Sequence, residues 1–411
     1  MEIINELNSR LQDNESKLNQ WSEEHLSRIV IPLYSSVDLR LAEYKIAPVD
    51  TNVFPAGFNN LSQLYRDRAG ILFRDALTRK YNGIKKILII PELHTKNKFY
   101  WENIYALSGI LRNAGYEIEI GIVSDEFQVG ESYFETVSGN KIKAYKAFQK
   151  DHRVMISGYD PDAILINNDF SEKCPKTLRD IVQPVVPPVE IGWHTRRKDI
   201  HFQFYNKLAS EIADILDIDP WIISIDTRFV SDTDFDDYDE RVKVAGHARE
   251  LLSDLQNQYK RHNLSTKPFV FIKSNSGTYG MAVISVSDPE DIINLNSDGR
   301  KRMRVKKGGI QVRDIVIQEA VPTCLKLREN LIAEPVVYMV ESEVAGVFYR
   351  TNSGKNEFEN LNSRGMSFED FPVEGGMEKS VKPVFSLISK VASIAAGYEI
   401  EKIIEEGGCR E

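Results

Sequence analysis

Pro268-Phe269-Val270-Phe271-Ile272-Lys273-Ser274-Asn275-Ser276-Gly277-Thr278-Tyr279-Gly280-Met281 is an apolar run that ends in a lysine and opens into a loop of small residues. The run of apolar side chains after a proline reads as a buried strand. Lys273 closes the strand with a point charge suited to phosphate oxygens. Ser276, Gly277, Thr278, Tyr279 and Gly280 follow as a loop whose glycines let backbone N–H groups approach an anion closely. The stretch matches neither the P-loop pattern G-x-x-x-x-G-K-[ST] nor the dinucleotide pattern G-x-G-x-x-G. On spacing alone, a phosphate loop and a plain hairpin turn with an exposed lysine weigh equally.

Further along, Ile315-Val316-Ile317-Gln318-Glu319-Ala320-Val321-Pro322 is a buried-type strand that turns polar and stops at a proline. The backbone of Gln318, Glu319, Ala320 and Val321 suits the edge of an adenine, and Glu319 suits ribose hydroxyls; a solvated strand end is as common. Glu334 then precedes an apolar strand, Arg350 ends Phe348-Tyr349-Arg350, and Glu357-Phe358-Glu359-Asn360-Leu361-Asn362-Ser363-Arg364-Gly365 follows. Mg²⁺ on nucleotide phosphates takes one or two carboxylates and keeps several waters, which Glu359 with Asn360 or Asn362 suits. Arg350 and Arg364 suit the charge developing on a transferred phosphoryl group. A charged surface loop is the bland alternative for this stretch.

Working outward to the first half, Gly192-Trp193-His194-Thr195-Arg196-Arg197-Lys198 holds the densest positive charge in a chain whose formal net charge is −9. A planar guanidinium grips a carboxylate at two points, as an amino-acid substrate requires; pairing with the acidic run at 231–240 is the other use for it. The stretch Pro48 to Asn60 is dense in Pro, Gly and amides, which is loop chemistry and a candidate site. Residues 1–30 pattern as an amphipathic helix. The apolar runs near 85–91, 116–123 and 163–167, with a helix pattern over 100–113, read as βαβ structure. The expected organisation is therefore an N-terminal α/β substrate-binding region over 1–230 and a nucleotide-binding region over 231–411.

Several classes are disfavoured. Apolar content of 42% and charged content of 27% are those of an ordinary globular chain. The acidic balance argues against a nucleic-acid partner. The three cysteines lie far apart, and the seven histidines fall in no H-E-x-x-H spacing, so neither a disulfide framework nor a zinc hydrolase is expected. Cys324 suits a small filler better than a nucleophile, and Ser276 lacks a G-x-S-x-G context. No stretch approaches the ~18 apolar residues of a membrane span, and the expectation is a cytoplasmic protein.

Taken in order, the segments around Lys273 to Gly280, Gln318 to Pro322, Glu334, Arg350 and Glu359 to Asn362 resemble the ATP-grasp arrangement. Together with Asp38-Leu39-Arg40, Ala47 to Asn60 and Glu190 to Lys198, they more closely resemble the proteobacterial glutamate–cysteine ligases first recognised in acidophilic iron- and sulfur-oxidising bacteria. The resemblance spans most of the chain, and the Pro48-Val49-Asp50-Thr51-Asn52 stretch is its most specific part. It implies an α/β (α+β), ATP-grasp-like fold and ATP- and Mg²⁺-dependent joining of L-glutamate to L-cysteine through a γ-glutamyl phosphate, the first step of glutathione synthesis. It further implies Lys273, Arg350, Arg196 and Arg197 as catalytic groups, and Ser276 to Gly280 with Gln318 to Val321 around the nucleotide. Amino-acid binding falls to Asp50, Asn52, Asn59, Asn60, Trp193, His194 and Arg196 to Lys198; the metal falls to Glu334, Glu359, Asn360 and Asn362. Ser274-Asn275-Ser276 stands where the resemblance leads one to expect Ala-Asp-Ala. Another ATP-grasp carboxylate–amine ligase, glutathione synthetase-like, and a non-catalytic nucleotide-binding protein stay open as alternatives.

Overall fold

Five antiparallel strands form the sheet on which the rest is assembled, in the order Met366–Asp370, Glu343–Asn352, Ala333–Val340, Tyr34–Leu41, Ile46–Asn52. The computed structural model describes residues 2–407 except 125, 129, 172–173, 277–281, 305, 308–309, 312 and 373–375. Side chains alternate across a pleated strand, and here the alternation separates chemistry from core. Val37, Leu39, Leu41, Val337, Met339, Val347 and Tyr349 enter the main hydrophobic core. Their even-numbered neighbours Asp38, Arg40, Glu334 and Arg350 face the other way into a cleft. Helices Gln63–Lys80 and Gly376–Glu405 pack on the sheet and contribute Phe73, Ala76, Val384, Phe385 and Ile388 to the same core. Because Tyr34–Leu41 pairs with Ala333–Val340, this sheet takes strands from both sides of residue 230.

A second sheet of six strands runs Val185–Val186, Ala163–Asn167, Lys86–Pro91, Glu117–Ile122, Lys141–Lys146, Glu131–Glu135; all neighbours are parallel except the last pair. Helix Lys98–Asn113 makes the crossover between its strands, which is the βαβ unit expected from the apolar runs. A third, antiparallel sheet of Thr227–Val230, Ile315–Glu319, Val270–Ser274 and Val283–Val286 packs on helix Tyr238–Arg261. It has a core of its own, with Val270, Ile272, Ile315 and Ile317 against Val244, Ala248, Leu251 and Leu255. A mixed α/β architecture is thus present, as the sequence implies.

Two expectations need correction, and one element was not expected. The stretch from Pro48 is not loop throughout: Ile46–Asn52 is an edge strand, which can hold Pro48 because an edge residue has no outward ladder bond to lose. The N-terminal helix is two helices, Glu2–Asp13 and Glu15–Leu26, parted at Asn14. Helix Gly376–Glu405 has no counterpart in the sequence reading, because Pro383 lies inside it and its buried residues do not confine themselves to one stripe. Gly397 lets it close on the N-terminal segment: a Cβ there would stand 2.5 Å from Ile29 Cδ1.

Candidate active site

The five-stranded sheet, the sheet carrying Lys273, the segment around Gly192 and Trp193 and the start of helix Lys198–Leu216 line a cleft of about 300 Å³. Its floor is the even-numbered face of the five-stranded sheet. Glu334 and Arg350 are register partners on adjacent strands, and Asp38 sits opposite Asp50 on another pair, so the pleat brings all four side chains to one side. Arg350 Nη1 donates to Asp38 Oδ2 at 2.6 Å and to Glu334 Oε1 at 2.8 Å; Arg40 Nε lies 2.5 Å from Glu334 Oε2. Arg40 also donates to the Glu357 and Glu359 carbonyls at 3.2 and 2.7 Å, tying the 357–362 loop to the floor. Burial raises the Asp38 carboxyl, with Glu334 adding to the rise against the pull of Arg350, whereas two guanidinium groups hold Glu334 below its usual range against burial.

Lys273 closes the cleft from the third sheet. Its ammonium donates to the Val49 carbonyl at 3.1 Å and to Gln318 Oε1 at 2.6 Å, so it bridges two sheets through neutral oxygens. Burial, then the nearby Lys198, lowers its pKa to about 8. Phe271 and Val283 line the cleft beside it, and Phe271 packs with Phe269 and Ala320 in a small apolar cluster. Phe358 stands edge-on to Phe269 at 5.5 Å.

The wall opposite carries the basic cluster. Lys198 pairs with Asp50, and Lys198, Lys273 and Arg196 outweigh burial to bring the Asp50 carboxyl to about 2. Arg196 makes a two-point pair with Glu399, at 3.1 and 2.7 Å, while Arg197 donates to the carbonyls of Trp193, His194 and Arg196. Burial drives His201 below its ordinary pKa against the pull of Glu399, and its ring lies between Thr51 Oγ1 at 2.9 Å and Glu399 at 3.3 Å. Among the lining residues six are cationic (Arg40, Arg196, Arg197, Lys198, Lys273, Arg350) and five anionic (Asp38, Asp50, Asp169, Glu334, Glu399). The cleft is therefore locally positive inside a chain of net charge −9.

Half of the expected site residues meet here: Asp50, Asn52, Asn60, Trp193, Arg196, Arg197, Lys198, Lys273, Glu334, Arg350, Asn360 and Asn362 all line the cleft. Others do not. Glu319 is buried and committed elsewhere: it takes Lys45 at 2.6 Å, Trp221 Nε1 at 3.0 Å and the Asp226 amide at 3.1 Å, which leaves no room for a ribose. Ala320 and Val321 are buried, and the Ala320 amide donates to the Phe269 carbonyl. Gln318 is buried too and reaches the site only through Lys273. Glu359 turns its carboxylate to Lys355 at 2.8 Å and to the Asn356 amide at 3.0 Å, while Asn59 and His194 point to Asn60 and to the Phe170 carbonyl. Ser276 is buried, its carbonyl accepting from Ser274 Oγ; Gly277, Thr278, Tyr279 and Gly280 lie outside the described residues.

The Ser-Asn-Ser variation has a local reason. Asn275 Oδ1 accepts from the Asp199 amide at 3.0 Å and Nδ2 donates to Asp199 Oδ1 at 2.7 Å. A carboxylate at 275 would face another carboxylate and lose the donor. Sequence reasoning assigned no role to Asp38, Arg40, Phe271, His201 or Glu399. One signal was available: Asp38 and Arg40 at i, i+2 on a strand share a face, whereas Glu399 is followed closely by Glu401 and Lys402 and does not stand out.

A family model described as glutamate–cysteine ligase matches residues 8–400. The crystal structure of a candidate gamma-glutamylcysteine synthetase from Methylobacillus flagellatus superposes with a TM-score of 0.87 and 33% identity, covering 96% of each chain. D-alanyl-alanine synthetase A from Vibrio cholerae is a far more distant likeness, at 12% identity and a TM-score of 0.37 over 77% of this chain and 82% of that one. No curated protein sequence matches the chain.

Proposed function

The chain belongs to the glutamate–cysteine ligase family, and from that premise we propose how its cleft divides the work of the reaction. It is an ATP-using ligase that joins L-glutamate, through the γ-carboxylate, to the amine of L-cysteine. A γ-carboxylate oxygen attacks the γ-phosphorus of ATP and ADP leaves. The cysteine nitrogen then attacks the acyl carbon, the C–O bond to phosphate breaks, and the amine gives up a proton. Such chemistry needs positioning and charge stabilisation more than covalent help from the protein.

The observation that carries the assignment of roles is the opposition of two sheets across one cleft. Lys273 reaches from one, while Arg40, Arg350, Asp38 and Glu334 face it from the other. This is an ATP-grasp-like arrangement, in which two antiparallel sheets would take a nucleotide between them. Lys273 holds phosphate oxygens, Phe271 and Val283 seat the base with Phe269 and Ala320 packed behind Phe271, and Arg350 steadies the transferred phosphoryl group. Arg196, Arg197 and Lys198 take amino-acid carboxylates, and Asp50, ionised and in the cleft, takes an ammonium.

The oxygen donors present suit Mg²⁺. Asn360 and Asn362 present amide groups to the cleft and would hold it with Glu334, one of whose oxygens would exchange its guanidinium partner, Arg40 or Arg350, for the ion. When bound it neutralises charge on the transferring phosphoryl group. Glu359 is left out because its carboxylate faces Lys355.

The test is ADP release by the purified protein with Mg²⁺·ATP and L-glutamate, with and without L-cysteine, beside a Lys273→Ala variant and mass detection of the dipeptide. ADP and γ-glutamylcysteine appearing together, and both lost in the variant, is the expected result. ATP binding with no product across a panel of amino acids would remove the substrate assignment.

A further inference from the structure

Arg196 reaches the cleft from the turn before helix Lys198–Leu216, and its guanidinium is held along one side by a carboxylate from the last helix. Nε donates to Glu399 Oε1 at 3.1 Å, Nη2 to Oε2 at 2.7 Å, and Nη1 to the Thr51 carbonyl at 3.1 Å. A guanidinium carries five N–H groups in a rigid fork, so two are left over among the described residues, one on each Nη nitrogen. The Glu399 side chain is 1% exposed and that of Arg196 17%, so a ligand meets the arginine. Glu399 belongs to the long helix Gly376–Glu405, whose Ala396, Ile400 and Ile403 beside it are buried in a cluster with Leu88, Ile90 and Ile166 of the six-stranded sheet. His201 touches the same carboxylate at 3.3 Å. Around this point Arg196, Arg197 and Lys198 stand against Asp50 and Glu399, a local excess of one positive charge.

We propose that Glu399 is a positioning residue for amino-acid binding: it holds the Arg196 guanidinium so that the two remaining Nη–H groups grip the α-carboxylate of one of the two amino-acid substrates. This rests on the ligase reading above. A buried acid with a purely structural role would stabilise the helix packing and treat every substrate alike. A positioning acid acts only on the substrate whose carboxylate the arginine holds.

The experiment compares wild type with Glu399→Gln, measuring KM for ATP, L-glutamate and L-cysteine, and kcat/KM for each amino acid beside its analogue lacking the α-carboxylate, 4-aminobutyrate or cysteamine. Where an analogue is not turned over, its Ki as a competitive inhibitor replaces kcat/KM. The glutamine amide cannot accept from both Arg196 nitrogens. KM for one amino acid is expected to rise about 10- to 100-fold, the range for losing a two-point charged contact, while KM for ATP moves less than about twofold. The matching decarboxylated analogue is expected to lose almost nothing. Equal losses for parent and analogue, or unchanged KM for both amino acids, would overturn the proposal. Should Glu399→Gln not fold, Glu399→Asp keeps the charge, draws the carboxylate back from Arg196 by one methylene and carries the same comparison. Wild type without ADP release would instead remove the ligase reading itself.

Discussion

Lys273 is the residue on which the proposed nucleotide site turns, and its environment makes its charge conditional. Burial and Lys198 bring its pKa from 10.5 to about 8. The ammonium is therefore charged below pH 8 and is lost as pH rises through that value. Where only the charged form grips phosphate, the dissociation constant for ATP rises by up to about tenfold per pH unit above 8. Titration of ATP binding between pH 6.5 and 9.5 (about two units around that value) tests this, and Lys273→Arg, which stays charged, is expected to flatten the profile. A flat wild-type profile would place the phosphates away from Lys273. The same shift costs the fold stability below pH 8, a cost that fades as pH rises toward 10.5. This lysine was legible in the sequence because a strand followed by a glycine loop announces it within fourteen residues, 268 to 281. Glu319 was misread for the opposite reason: its partner Lys45 lies 274 residues away, and nothing local to a strand end says that its acid is already taken.

Among the elements, the sheet carrying Lys273 has a core separate from the main one, with Ile272 fully buried against helix Tyr238–Arg261. Truncation there, Ile272→Ala, is expected to cost about 2 to 5 kcal/mol and to act on this unit first. Hydrogen exchange should show lost protection in Thr227–Val230, Val270–Ser274 and Ile315–Glu319 with helix Gly376–Glu405 unchanged; equal loss in both would mean the two cores melt as one. The strands of this sheet were readable because each is a short apolar run bounded by turn residues. Helix Gly376–Glu405 was not, since a helix buried on many sides shows no single stripe and Pro383 looks like a stop. Strand Ile46–Asn52 was hidden by Pro48 and by amides that serve the cleft rather than a loop. Functional residues overrode local pattern in both directions.

For the whole molecule, the five-stranded sheet joins residues 34–52 to residues 333–370, so the first and last thirds of the chain complete one another. A division at residue 230 leaves one fragment with two of its strands and the other with three. Expressed alone, fragments 1–230 and 231–411 are each expected to lack a cooperative thermal transition for this sheet, and mixing them to restore it along with ATP binding. Independent melting of fragment 1–230 with native helix content would instead make the two regions self-sufficient. The cleft's position also depends on this closure, because Asp38 and Asp50 come from the early strands and Glu334 and Arg350 from the late ones. A reader of the sequence sees those acids and bases as unrelated; only the pairing of distant strands makes them neighbours.

The even-numbered face of that sheet has a consequence for how the gene can vary. Substituting one cleft residue changes one contact, but deleting or inserting a single residue within Tyr34–Leu41 or Ala333–Val340 exchanges the faces of everything beyond it on that strand. Charged Asp38 and Arg40 would turn into the oil, and Val37 and Leu39 into the substrate's water. These strands behave like a message with a parity bit: misspellings are tolerated one at a time, whereas a slipped letter makes the whole word unreadable. Length changes among relatives are therefore expected in the connections between strands, with the spacing inside the strands held fixed.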